Sequence, residues 1–193
     1  NPSVPGNNLA EFIVAAKKSP GFYSYASTGV GSLNQLAMED LKRKAGIFVL
    51  HVPYGGGGPA IAAVVGNTAS MTLLSYAALK GQIQADKLKP LAVTGSHRLP
   101  ELPKTPTVAE SGYPGFEAIT WFGVLAPAAT PPHILAQLNQ EINKAMDVPA
   151  FRAKIKSEGA IVLGGTPERF TELLKKDYAM WAQVVKSSGA RID

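Results

Sequence analysis

The chain has 193 residues, 46% hydrophobic and 17% charged, which suits a globular protein with a buried core and excludes a disordered one. It contains no cysteine, so thiolate catalysis, disulfides and cysteine-ligated zinc are excluded. The formal charge of +5 comes from scattered Lys and Arg with no basic block, which reads as a solvated surface and not as a nucleic-acid footprint.

The start, Asn1-Pro2-Ser3-Val4-Pro5, lacks the basic and apolar regions of a signal peptide. A mature secreted protein would have lost that segment, so the start does not decide the compartment. No apolar run reaches the roughly 20 residues of a membrane span. Asn8 has Glu11 three residues on, the capping-box spacing, and Leu9, Phe12, Ile13 and Ala16 then share one helical face. Ser19-Pro20-Gly21 stops that helix. A short strand is predicted at 23–26, a tight Gly/Ser loop at 27–32, and an amphipathic helix on Leu33, Leu36, Ala37 and Leu41, ended by Gly46. A strand at 48–52 leads into a glycine loop and a helix over 60–65, with Pro59 in its first turn.

Residues 69–74 read as a third strand, followed by Ser75 and a helix to about Ala85. Residues 91–94 read as a fourth strand, and 96–115 as a Pro-rich surface stretch holding a short capped helix at 107–110. Further strands are predicted at 119–125 and 161–163, and helices at 133–146, 149–158 and 167–186. Strands alternating with helices imply an α/β fold, a parallel sheet with helices on both faces.

The strongest chemical signal is a repeated plan of strand, Gly/Ser loop and helix, at 27–32 and again at 54–58. In a parallel sheet, ligands sit beyond the carboxyl ends of the strands. Loops there offer backbone N–H groups and the positive ends of helix dipoles, which together suit an anion. The candidate ligand-binding residues are therefore Ser27, Thr28, Gly29, Gly31 and Ser32 in the first loop, and Tyr54, Gly55, Gly56 and Gly57 in the second. Ser75, closing the third strand on the same rim, completes the set. The glycines could instead serve only tight turns; the pairing of two such loops favours anion binding.

Gly58 runs into Pro59, so the lysine and hydroxyl of a phosphate-binding P-loop are missing. Asn34 stands where the third glycine of a dinucleotide fingerprint belongs, and no acidic residue follows about twenty positions on. A carboxylate, which needs only a few N–H and hydroxyl donors, fits best. His51, His97 and His133 lack metal-ligand spacing, and no Gly-x-Ser-x-Gly turn occurs, so no catalytic residue, metal site or cofactor is assigned and the chain reads as a non-enzyme. His51 reads as a packed or edge-strand histidine.

Several strings in order carry a resemblance: Tyr25-Ala26-Ser27-x-Gly29-x-Gly31-Ser32, His51-Val52-Pro53-Tyr54-x-Gly56-Gly57, Leu102-Pro103-x-x-Pro106-Thr107-Val108-Ala109-Glu110, Trp121-Phe122-Gly123 and Gly164-Gly165-Thr166-Pro167-Glu168. Over its whole length the chain resembles the Bug family, the substrate-binding receptors of tripartite tricarboxylate transporters. The resemblance implies a type II periplasmic binding protein-like fold, one complete lobe plus the C-terminal part of the other. It places residues 1–118 in the second lobe, 119–126 in a hinge strand and 127–193 in the C-terminal helical part of the first lobe.

The resemblance also implies a periplasmic receptor that closes over a small organic carboxylate and hands it to membrane transporter subunits, with no nucleic-acid partner. Its ligand loops map onto 27–32 and 54–57. Many members carry an Asp near the third strand that meets a ligand amino group; here the run is Leu73-Leu74-Ser75-Tyr76, which favours a plain carboxylate over an amino acid. Members also carry most of the first lobe ahead of the position of Asn1. The expectation is therefore weak binding, and an apolar surface of Ile134, Leu135, Leu138, Ile142, Phe170, Leu173, Leu174 and Trp181. That surface would self-associate, dock on the intact lobe or be covered by a longer chain. Two other readings stay open: an α/β enzyme using the anion site, and a receptor feeding a signalling system. The absence of a recognisable nucleophile–base pair speaks against the enzyme.

Overall fold

A computed structural model of the chain describes residues 1–188, and forms two compact units. The first comprises residues 1–120 and 182–188; the second is Trp121–Trp181. The last five residues of the predicted 127–193 segment lie outside the described residues.

In the first unit, α1 (Leu9–Lys18) begins where predicted, with the Asn8 side chain accepting from the Glu11 N–H at 2.9 Å. Glu11 returns the favour one residue early, accepting from the Asn7 N–H at 2.8 Å. Leu9, Phe12, Ile13 and Ala16 are all buried, and Phe12 meets the Tyr23 ring edge-on at 5.4 Å. Truncating Phe12 to Ala would cost about 3–5 kcal/mol on typical core magnitudes.

β1 (Ser24–Ser27) leads to α2 (Leu33–Ala45), which Gly46 ends in a left-handed C-cap at φ 62°. β2 (Leu50–Pro53), α3 (Gly57–Val65), β3 (Met71–Thr72) and α4 (Tyr76–Gln84) follow. The strands form a parallel sheet in the order β2-β1-β3, with Tyr25 opposite both His51 and Met71.

Central β1 is buried on both faces, as parallel strands are: Tyr25, Ala26 and Ser27 are each at most 1% exposed. Successive side chains alternate between faces. Ala26 packs into a cluster with Ala60, Ala63 and Val64 of α3, while the Tyr25 hydroxyl on the other face donates to Glu39 of α2 at 2.6 Å. Helices thus cover both faces, as expected.

Several predicted elements do not form. Residues 91–94 make only one isolated parallel bridge, Val93 to Thr107, because Pro103 and Pro106 leave the adjacent segment unable to sustain a ladder. The 107–110 helix is a single capped turn. Thr107 and Glu110 exchange reciprocal capping bonds at 2.7 and 2.9 Å, and Gly112 at φ 104° then turns the chain away. No strand forms at 119–126, where a hinge strand was expected, nor at 161–163. Both runs suit a strand but have no pairing partner among the described residues.

In the second unit, α5 (Pro132–Met146) packs on α6 (Pro149–Ser157), and α7 (Pro167–Ser188) begins. Trp121 donates to Asp177 at 2.6 Å and meets Phe170 edge-on at 5.3 Å. The Phe170 ring explains Gly123: a Cβ there would lie 2.3 Å from its Cζ. Asn139 and Asn143 clamp the carbonyl of Gly165 at 2.9 and 3.0 Å, and the Gly165 N–H donates back to Asn143 at 2.9 Å. Ile134, Leu135 and Leu138 are exposed; Ile142, Phe170, Leu173, Leu174 and Trp181 are half-buried.

Candidate functional site

All three strands run parallel, so the segments 28–32, 54–56 and 73–75 leave the same edge of the sheet. β1 is central, with β2 and β3 on opposite sides, the reversal at which a crevice opens at the carboxyl edge. The Tyr54 N–H donates to the Ser27 carbonyl at 3.0 Å, which ties the second loop to the end of β1. Ser27, Thr28, Gly29, Gly31, Ser32 and Tyr54 are thereby brought together, with Gly55, Gly56 and Gly57 continuing the second loop. Ser75 caps α4 on the same rim and is exposed. The Tyr54 ring packs partly against the Ala26–Ala60–Val64 core.

Three helices start at this edge. Their N-caps, Ser32, Gly56 and Ser75, make no side-chain capping bond, and no first turn holds an acidic residue. Each helix start carries partial positive charge and N–H groups without an intrahelical acceptor. Turn geometry accounts for some of the glycines: Gly29 and Gly56 sit at φ 133° and 132°, where other residues are strained. It does not account for Gly55, Gly57 or Gly58. None of these has positive φ, and a Cβ on any of them would meet nothing within 4 Å. Glycine at a helix start is unfavourable relative to alanine, so open space above the backbone is the physical gain left to explain them.

The first loop differs from the expectation of free N–H groups. Thr28, through both N–H and hydroxyl, donates to Asn34 Oδ1 at 3.4 and 3.2 Å; the Ser32 hydroxyl and the Gln35 N–H at 3.0 Å join them. Gly31 N–H donates to Gln35 Oε1 at 2.6 Å. Three donors thus converge on one amide oxygen, and the single proton of the Ser32 hydroxyl serves either that oxygen or the Gly29 carbonyl at 2.6 Å.

His51 was read as a packed or edge-strand histidine; Asn34 and Gln35 were missed in the sequence. Their signal was two polar residues in the first turn after a glycine loop, both of which prove buried.

The structure sets His51 against the Ser27 hydroxyl. Its Nε2 lies 2.6 Å from the Ser27 hydroxyl, and its ring stacks on Tyr25 at 4.9 Å, a packed histidine on an outer strand of the sheet. The pair does not have triad polarity. Gln35, whose Oε1 is committed to Gly31, presents its NH2 to His51 Nδ1 at 3.3 Å. Nδ1 therefore accepts, and Nε2 carries the proton and donates to Ser27. A serine base must do the reverse, with a carboxylate on Nδ1. Burial holds the His51 imidazole below its ordinary value, with Glu39 opposing and Lys42 assisting. Burial, reinforced by Glu39, pushes the Tyr25 phenol far up. Among the described residues no group of three His, Asp or Glu could hold a metal.

A parallel α/β unit whose helix starts converge on one sheet edge is present, and the fold is periplasmic binding protein-like. Residues 1–190 match the tripartite tricarboxylate transporter family receptor model, and the chain belongs to that family. It is 37% identical over 179 residues to a protein from the tcbD-tcbE intergenic region of Pseudomonas sp., covering 92% of this chain and 53% of that one. It is 32% identical over 192 residues to BugT of Bordetella pertussis, covering 100% of this chain and 59% of that one. A structure from R. palustris with adipate superposes with TM-score 0.89 at 31% identity, over 97% of this chain and 63% of that one. MatC from Rhodopseudomonas palustris with bound malate gives 0.79 at 28% identity, over 95% and 63%. The chain thus spans roughly half to two thirds of the length of these relatives.

Proposed function

We propose that the chain is the carboxylate-binding part of a periplasmic solute receptor that serves a tripartite tricarboxylate-type transporter, and that it is not an enzyme. The observation that carries this reading is the edge itself: three helix starts without side-chain caps or acidic residues, over glycines that packing does not require. Family membership supports it, as do two similar structures described with adipate and malate. Thr28, Gly29, Gly31, Ser32, Tyr54, Gly55, Gly56, Gly57 and Ser75 form the ligand surface, and Ser27, fully buried beneath it, supports the first loop.

Residues 1–118 serve as the second lobe, 119–126 as the hinge and the remainder as the helical part of the first lobe. The division of the chain after Thr120 supports the boundary at the hinge; residues 182–188, which group with the first unit, do not follow the assignment. The run Leu73-Leu74-Ser75-Tyr76 offers no carboxylate to an ammonium group, so dicarboxylates are favoured over amino acids. Transporter subunits are the receiving partners. Calorimetry against adipate, malate, glutamate and the neutral diamide of adipate tests the proposal. Binding of adipate or malate with no response to the diamide is expected. Equal binding of the diamide, or none of either dicarboxylate, would contradict it.

A further inference from the structure

We propose that Gln35, His51 and Ser27 are positioning residues, a hydrogen-bond relay that holds the Gly29–Gly31 segment in the shape that accepts a carboxylate. The inference rests on the carboxylate reading and extends it to residues behind the loop. The polarity of the relay follows link by link. Gly31 N–H can only donate, so Gln35 Oε1 accepts it at 2.6 Å. Gln35 Nε2 must then donate to His51 Nδ1 at 3.3 Å, and His51 Nε2–H to Ser27 Oγ at 2.6 Å. The Ser27 hydroxyl proton finishes on the Gly29 carbonyl at 3.1 Å, while the Gly29 N–H returns to Ser27 Oγ at 3.2 Å. The relay thus grips the glycine loop on both sides, from a strand and a helix that are themselves fixed. Ser27 is fully buried and Gln35 nearly so, so water does not readily substitute for a lost link.

The relay works with one protonation state. Adding a proton to His51 Nδ1 sets it against the Gln35 NH2, donor to donor. Turning the Gln35 amide over relieves that clash but sets NH2 against the Gly31 N–H instead. One link breaks either way. The charged and titratable groups facing His51 are Glu39 and Lys42 from α2 and the Tyr25 phenol from β1; Glu39 is held by both the Tyr25 hydroxyl and Lys42. Charge and geometry predict opposite signs. A cationic His51 acting only through space would tighten the grip on an anion in acid, whereas a broken relay loosens it.

The test combines imidazole NMR of the chain with adipate and malate titrations between pH 5 and 8. The wild-type ring should show the Nε2–H tautomer. Affinity should be flat at neutral pH and fall about tenfold as His51 takes up its proton, the loss expected for one buried hydrogen bond. His51→Phe keeps the stack on Tyr25 and removes both links; it should bind about tenfold more weakly with no pH dependence. Gln35→Glu guards against misfolding of that variant: its carboxylate accepts from both Gly31 and protonated His51, so its affinity, lowered by the added negative charge, should not fall further in acid. An Nδ1–H tautomer, tighter binding in acid, or wild-type affinity in His51→Phe would overturn the relay. If the wild-type protein binds neither dicarboxylate, the carboxylate reading falls. The tautomer, and the response of the Gly29 and Gly31 amides to His51 titration, then decide the relay separately.

Discussion

Asn34 shows how much one side chain contributes to the loop. Its Oδ1 accepts from Thr28 twice and from Gln35, whereas the Ser32 hydroxyl beside it also has the Gly29 carbonyl as an acceptor. Asn34→Leu should leave these donors without an acceptor, at about 1–3 kcal/mol in chemical denaturation. Asn34→Asp should fold normally yet lose dicarboxylate binding, because a fixed carboxylate satisfies the same donors and repels the ligand; calorimetry checks this. At His51 the sign of the pH effect on stability follows from a folded value below the ordinary 6.5. The contribution of neutral His51 is fully present above pH 6.5 and is lost as pH falls through the lower folded value. Denaturation of the wild-type protein across that window should show the loss, and His51→Phe should flatten it. None of this was legible in the sequence. His51 lies 24 residues from Ser27 and 16 from Gln35, and only the parallel register brings them together.

Elements were legible to the extent that their signals are local. Asn8 and Gly46 mark helix ends within one turn, and α1 and α2 form where those residues put them. Strands depend on partners far along the chain, so apolar runs at 91–94, 119–125 and 161–163 looked like strands, yet the first makes a single bridge and the other two form no strand. The glycine loops were legible as a pair, but their distinct roles were not. Gly29 and Gly56 serve backbone conformation, while Gly57 and Gly58 open α3 with empty space above them. The double change Gly57→Ala, Gly58→Ala should therefore raise stability by up to about 1 kcal/mol per site and weaken dicarboxylate binding. Melting and calorimetry on the same sample check both halves. In the second unit, Gly123→Ala places a Cβ inside the Phe170 ring. It should destabilise by about 1–3 kcal/mol, and Phe170→Leu should recover part of that in a double-mutant cycle.

At the scale of the whole molecule, the second unit presents more apolar surface than a solitary soluble domain usually does. Ile134, Leu135 and Leu138 are exposed along α5, and Phe122, Val124 and Leu125 are exposed before it. We propose that the chain self-associates through this surface. Sedimentation should show a concentration-dependent species above monomer, and Leu138→Glu should shift it back toward monomer. In a receptor that grips its ligand between two lobes, the edge described here would supply one side of the grip. The most direct test of that role is an adipate titration of the isotope-labelled chain, following backbone amides by NMR. Saturable shifts should concentrate at Gly29, Gly31, Ser32 and Gly55–Gly57. Shifts confined to other parts of the chain, or none at high adipate, would contradict carboxylate capture at this edge.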